Sequence, residues 1–244
     1  MERKSLYDIS WKVDEPTYRA DLALSYSTLA KYEKEGFKCL SKLFDKVETP
    51  SLTLGSAVDS IITGGQKEFE ERFMVADFPQ LPDSIVVIVK YLFSLYNKDC
   101  LTLEDIDDNL VIEATEELRY QLNWKPETRA RVVKEKGGEY YNLMYLAGDR
   151  TILDTSTYND VCRMVTVLEE SKATAYYFSK NNPFDDVERF YQLKFKGNYE
   201  KIEYRIMADL LIVDHKNKTI TPCDLKTSGK PEWEFPKSFL EWNY

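Results

Sequence analysis

Apolar positions recur along this chain with two different periods, and the change from one to the other falls near residue 187. Before that point the spacing is three to four. "LSYSTLAKYEKEGFKCLSKLF" reads as a helix, with Ser25 or Ser27 as its N-cap and Gly36 as its break. "TPSLTLGSAVDSIITGG" sets Leu54, Val58, Ile61 and Ile62 on one helical stripe that Gly64-Gly65 stops. "FEERFMVADFPQLPD" predicts a short helix, a strand at residues 73–75 and a proline-marked loop. Residues 84–182 read as almost wholly helical, with Asp83, Thr102 and Ser156 as N-caps. Residues 1–22 are mixed and partly irregular, and no internal repeat is present.

Beyond 187 the period becomes two. "VERFYQLKFKG", "KIEYRIMADLLIVD" and "KTITPCDLKT" are rich in β-branched and aromatic residues and read as three strands. "NYE" and "HKNK" read as the turns between them, so an antiparallel meander is the simplest topology. "EFPKSFLEWNY" starts like an amphipathic helix after Pro236 and ends about two turns in without a C-cap signal, which leads us to expect a longer natural chain.

Composition narrows the reading. At 244 residues the chain is one large domain, or a core with a substantial insertion. Hydrophobic content of 43% with 14% aromatics is enough for a sizeable core. No run approaches the roughly 18 apolar residues of a membrane span. "MERKSLYDIS" lacks the apolar stretch of a secretory signal, so a cytoplasmic protein with no membrane partner is expected. Cys39, Cys100, Cys162 and Cys223 are scattered and form no C-x-x-C pair, which points to reduced thiols rather than a zinc site.

The net charge of −9 argues against a broadly basic nucleic-acid coat, although an enzyme acting on nucleic acid needs only a local basic track. Lys31, Lys34, Lys38 and Lys42 recur at helical spacing and are interleaved with Glu33 and Glu35. They form either a solvated face or a phosphate-contacting one. His215 is the single histidine and lies in a polar turn, so histidine-based catalysis has little support. Trp233 and Trp242 read as packing residues before base-stacking platforms. The P-loop, G-x-G-x-x-G and G-x-S-x-G patterns are absent from the sequence.

Three residues carry candidate chemistry: Asp209 near the middle of the second predicted strand, and Asp224 and Lys226 on the third. The period of two puts Asp224 and Lys226 on one face and Leu225 on the other. Pairing through "HKNK" sets Asp209 beside Asp224. Two adjacent carboxylates repel each other and call for a cation between them. A divalent metal with oxygen ligands supplies it, and a neighbouring lysine can hold or deprotonate a water there. The bare (D/E)-x-K pattern is weak. It also occurs at Glu2–Lys4, Glu170–Lys172 and Asp214–Lys216. Only Asp224–Lys226 sits on an apolar strand with a second carboxylate one hairpin upstream. The competing reading is an ordinary cross-strand ion pair.

"ADLLIVDHKNKTITPCDLKTS" resembles the core of the PD-(D/E)xK nuclease superfamily. "TPSLTLGSAVDSIIT" resembles the first helix of its RecB/RecE-like branch, and "SYSTLAKYEKEGFKCL" the helix that opens many such proteins. "ILDTSTYNDVCRMVTVLEES" is similar to the helix before the nuclease core, and "FPKSFLEWNY" to the start of the helix after the lysine strand. The resemblance implies an α/β fold. Its restriction-endonuclease-like core is a small mixed sheet flanked by helices, with a large helical elaboration at 84–182, all in one nuclease-like domain over 1–244.

It also implies roles for individual residues. Asp209 would be the first catalytic aspartate and a metal ligand, Asp224 the second acidic ligand and Lys226 the catalytic lysine. The main-chain carbonyl of Leu225 would also ligate the metal. Asp59 falls where many relatives carry a histidine and others an acidic ligand. Glu188 matches a further position that is often acidic. Ser27, Lys31 and Arg205 are candidate DNA contacts.

The cofactor implied is Mg²⁺ or Mn²⁺. The activity implied is a phage-type exonuclease that resects duplex DNA ends in recombination, in a bacterial or phage-infected cell. Its expected partners are DNA and a single-strand annealing or recombination protein, in a homo-oligomer. The alternatives are a structure-specific endonuclease with the same core, and a non-catalytic nucleic-acid-binding or assembly module that keeps the scaffold. Relatives carry a Gln-x-x-x-Tyr motif on the last helix, and the sequence stops at Tyr244 just before that glutamine is expected.

Overall fold

The structure is a computed structural model that describes residues 5–45, 49–77, 80–178, 186–227, 232–234, 236–237 and 240. It is a mixed α/β protein. In chain order the helices are α1 (Leu6–Ile9), α2 (Glu15–Ala20), α3 (Tyr26–Glu35), α4 (Pro50–Arg72), α5 (Asp83–Tyr96), α6 (Asp108–Glu117), α7 (Pro126–Ala147), α8 (Thr155–Glu170) and α9 (Ala175–Phe178). The strands are β1 (Phe73–Val75), β2 (Thr151–Leu153), β3 (Val187–Tyr199), β4 (Ile202–Asp214) and β5 (Thr219–Cys223). They divide between two compact units, one made of Met1–Thr63 with Met164–Tyr244 and the other of Gly64–Arg163. The helical elaboration expected at 84–182 therefore corresponds to a unit that starts and ends about twenty residues earlier.

Local chemistry explains most element boundaries. Ser25 caps α3 by accepting the Thr28 amide, while Thr28 Oγ1 accepts the Ser25 amide at 2.8 Å. This reciprocal pairing satisfies two donors that the first turn leaves open. Gly36, at φ +63°, ends the helix as expected. The helical geometry of α4 is interrupted at Gly64-Gly65, as expected. The helix bends at Gly65 (φ +74°) and runs on to Arg72, with Glu68–Arg72 and Lys67–Glu71 pairs on its last turns. Ser156 does not cap α8. That role passes to Asp154, which accepts the Thr157 amide at 2.8 Å, while Asp77 accepts the Thr155 amide at 2.9 Å. Thr102 caps a single 3₁₀ turn over Leu103–Asp105, and α6 starts six residues later.

The Gly64–Arg163 unit has its own core. Ile85, Ile88, Val89 and Leu92 of α5 pack with Val111 of α6 and with Val133 and Tyr141 of α7, all fully buried. Each such side chain contributes about 1.5–3 kcal/mol through burial. α7 comes close at Gly137, where a Cβ would lie 2.4 Å from Val89 Cγ2. β1 and β2 pair in parallel, Met74 beside Ile152.

The other unit carries an antiparallel meander in the order β3-β4-β5. The sheet is not the single mixed one expected. Among the described residues the parallel pair and the antiparallel triplet are separate sheets. The first turn is also shifted. The chain reverses at Glu200-Lys201, both at positive φ (48° and 69°), which overlaps the expected "NYE" only at its last residue. β4 pairs with β5 only from Leu210 onward, and Leu24 bonds to the main chain of Glu203 and Arg205 on the part of β4 that β5 leaves bare. Covering an exposed strand edge in this way removes a template for unwanted pairing.

β3 and β4 pair residue by residue along their length except at one place. Tyr191 faces Leu210 and Leu193 faces Ala208, but Gln192, at φ +52°, is unpaired with the intervening Asp209. Facial alternation slips there. Leu210 and Ile212 pack on one face with Val187, Tyr191 and Cys223. On the other face Leu211 packs with Ala208, Leu193 and Phe195. Ala208 and Leu211 are three apart, so the period of two is broken between them. Most of the final helix expected at "EFPKSFLEWNY", including Trp242, lies outside the described residues. Trp233 is 77% exposed rather than packed.

Candidate functional site

The slip at Gln192 decides where Asp209 goes. Strict alternation from Leu210 would send it to the opposite face. Instead Asp209 and Leu210, neighbours in sequence, both line one crevice with Tyr191 and Leu225. α4 supplies the facing wall through Asp59 and Thr63. Val58, Ile61 and Ile62 bury the adjoining stripe of that helix, which fixes the direction of Asp59. Gly55, one turn earlier, permits the close approach, since a Cβ there would lie 2.8 Å from Thr227 Oγ1. The glycine of the Gly-Ser-Ala segment thus lets α4 sit against the residue that follows Lys226.

Asp224 and Lys226 lie just past the end of β5 at Cys223, and not on the strand itself. Extending the Leu210–Cys223 pairing by one residue brings Asp209 and Asp224 side by side. The Leu225 amide donates to Asp209 Oδ2 at 2.8 Å, which ties the Asp-Leu-Lys segment to β4. Leu225 turns into the crevice, as expected from its parity, while Asp224 and Lys226 stay at the rim and are 57% and 42% exposed. There they pair, with Lys226 Nζ 2.7 Å from Asp224 Oδ1. A pair this exposed adds little stability of its own.

Asp59 is held differently. Gln192 Nε2 donates to both of its carboxylate oxygens, each at 2.9 Å. Burial pushes the Asp209 carboxyl above its ordinary value, and the Asp224 charge adds to the rise, while the Leu225 amide and Lys226 oppose it. Asp209 is thus a partly buried carboxyl whose charged form its surroundings disfavour.

Comparison of the chain with protein-family profiles, with curated proteins and with solved structures found no match. Function has to be argued from the site alone.

The donor chemistry of the site fits a hard divalent cation. Asp59, Asp209, Asp224 and the Leu225 carbonyl offer only oxygen, with no thiolate or imidazole among them. Their placement does not. Among the described residues no three His, Cys, Asp or Glu side chains are gathered closely enough to hold a metal ion. Asp59 and Asp209 share the crevice, Asp224 flanks Asp209 from the rim, and both outer carboxylates face donors of the protein.

The remaining candidates are not brought to this place. Glu188 lies opposite Val213, four residues along β4 from Asp209, with its carboxylate 3.0 Å from the His215 imidazole. Arg205 is only 6% exposed. Its guanidinium donates to the Tyr18 carbonyl and stacks over the Tyr18 ring at 4.9 Å, so it is a buried brace rather than a DNA contact. Ser27 is exposed at the start of α3, its hydroxyl 2.9 Å from that of Ser25. Lys31 spends its ammonium on the Lys42 carbonyl. One residue of the site was not expected at all: Gln192, whose only signal in the sequence is a polar side chain inside the apolar run "RFYQLKF".

Proposed function

We propose that the protein is a metal-dependent deoxyribonuclease with a PD-(D/E)xK-type site, acting as an exonuclease on duplex DNA ends. The observation that carries this reading is the Leu225 amide bond to Asp209. It fixes the Asp-Leu-Lys segment to the neighbouring strand, beside a crevice that also receives Asp59. An all-oxygen donor set next to a lysine suits phosphodiester hydrolysis. A bound Mg²⁺ or Mn²⁺ would neutralise charge developing on the phosphate. The chain's own residues have separate tasks. Asp209 on β4 and Asp224 just past the end of β5 supply negative charge side by side. Asp59 supplies it from the facing helix. Lys226, held by Asp224, orients the attacking water. No histidine lies among the crevice residues to compete for the role of base.

The test is incubation of linear and covalently closed circular duplex DNA with the protein in Mg²⁺ or Mn²⁺. Linear DNA is expected to be degraded and closed circles spared. Lys226→Ala and Asp209→Asn are each expected to lower the rate by about 10²-fold or more. Cleavage that survives Lys226→Ala would sink the mechanism, and cutting of closed circles would make the protein an endonuclease. A second reading has one observation in its favour: Asp59 and Asp224 are both engaged by donors of the protein itself. On that reading the chain is a non-catalytic nucleic-acid-binding module, and it would retain DNA in a mobility shift without cleaving it in either cation.

A further inference from the structure

Lys31, Lys34, Lys38 and Lys42 do not lie on one helix, because α3 ends at Glu35 and a 3₁₀ helix follows over Gly36–Lys42. A 3₁₀ helix has three residues per turn, so residues three apart stand one above the other. One edge carries Phe37 and Leu40, the next Lys38 and Ser41, and the last Cys39 and Lys42. The last edge faces inward: Cys39 is buried, and the Lys42 carbonyl accepts the Lys31 ammonium. That turns Phe37, Leu40 and Lys38 outward. Phe37 is 80% exposed, more than any other large hydrophobic side chain among the described residues, and Leu40 and Phe44 are exposed as well. Tyr32, in the last turn of α3, meets the Phe37 ring edge-on at 5.8 Å and is itself exposed. Residues 31–44 hold four lysines and two glutamates, a balance of +2 in a chain whose total is −9. Lys34 and Lys38 are exposed, and among the described residues no carboxylate lies within ion-pair distance of either. An exposed apolar patch rimmed by polar groups marks an interaction surface.

We propose that the segment from Tyr32 to Phe44 is a platform for single-stranded nucleic acid: Tyr32, Phe37 and Phe44 offer their rings to unpaired bases, and Lys34 and Lys38 meet the phosphates. Every base has a flat face that stacks on an aromatic ring, and lysines beside the rings follow the backbone. A duplex keeps its bases stacked on one another and offers such rings nothing but its phosphates. An anionic membrane also suits lysines set among apolar side chains, but it presents a charged plane to the whole face. Glu33, Glu35 and the negative total of the chain count against that partner, whereas a single strand needs only a narrow local track. The platform shares no residue with the Asp209 crevice, and it requires neither a cation nor cleavage.

The experiment is fluorescence anisotropy of a labelled oligothymidylate of about 20 nucleotides, longer than most single-strand sites, titrated with the full chain in EDTA. EDTA removes divalent cations, so cleavage does not intervene. The parent chain is expected to bind this strand more tightly than the duplex it forms with oligodeoxyadenylate. Phe37→Ala is expected to weaken binding about 5-fold or more, the loss of one stacked base, while Phe37→Tyr keeps a ring and binds like the parent. Lys34→Gln combined with Lys38→Gln is expected to flatten the slope of log affinity against log salt by about 1.4, at about 0.7 per lysine. An unchanged Tm verifies that each variant is folded. No binding by the parent at low salt, equal affinity for the duplex, or full affinity in Phe37→Ala overturns the platform. Binding to vesicles of phosphatidylserine and phosphatidylcholine in place of the oligonucleotide, lost in Phe37→Ala, overturns it in favour of a membrane surface. A parent dimer that Phe37→Ala dissolves, with no oligonucleotide bound, overturns it in favour of a second copy of the chain.

Discussion

Gln192 and Asp209 face each other across two strands, and each is held in a state its residue type resists. A non-glycine residue in the left-handed region costs on the order of 1–3 kcal/mol. For Asp209 the cost is electrostatic, because burial and the Asp224 charge both favour its protonated form. A carboxyl whose folded pKa is raised binds its proton more tightly in the native state. Its stabilising contribution is full below the ordinary value of 3.8 and is lost as pH rises through the folded value. Asp209→Asn removes that loss. Its Tm in the absence of divalent cations is expected to exceed the parent's at pH 7 and to approach it near pH 3. Urea denaturation across that range checks the point, and a variant less stable than the parent at pH 7 would refute it. The identities of Asp209, Asp224, Lys226 and Asp59 were legible because charge inside an apolar run is conspicuous. Gln192 was not, since no residue type other than Gly, Asn or Asp signals a positive φ. Arg205 misled for the opposite reason: its charge suggested solvent, while its planar guanidinium suited a stack on Tyr18.

At the scale of elements, type was easier to read than extent. Three period-two runs gave three strands, and the helical runs gave helices. The boundaries moved wherever two local signals competed, as at α8, where Asp154 displaced the nearer Ser156 as the capping group. The first hairpin shows what such a shift conceals. Its turn at Glu200-Lys201 needs positive φ at both positions, the geometry of a type I′ turn, yet neither residue favours it. Had the turn been legible, simple counting back along both strands would have set Gln192 against Asp209. Glu200→Asn combined with Lys201→Gly is expected to stabilise the protein by about 1 kcal/mol, read as a higher denaturant midpoint with unchanged slope. A lower midpoint would show that the turn is of another type.

For the whole molecule, the sequence suggested one domain with a helical elaboration, and the structure has two compact units with separate cores. Gly64-Gly65 marks the first boundary, where Gly65 leaves helical geometry, but nothing local marks the second, which α8 crosses as one helix. The units can be perturbed separately. Gly137→Ala would set a methyl group 2.4 Å from the fully buried Val89, and overpacking of this kind costs about 1–3 kcal/mol. Amide hydrogen exchange in α5 and α7 is expected to quicken while that of β3 and β4 holds. Equal loss of protection in both would mean that the two unfold as one.

The contact between Asp59 and Gln192 joins residues 133 positions apart. At ordinary rates of synthesis, about 5–20 residues per second, the aspartate leaves the ribosome roughly 7–27 seconds before the glutamine that will hold it. The intervening unit, which spans Gly64–Arg163, has time to fold first. A nascent chain therefore carries one half of its crevice for many seconds without the other, and the site closes only when the last strands arrive.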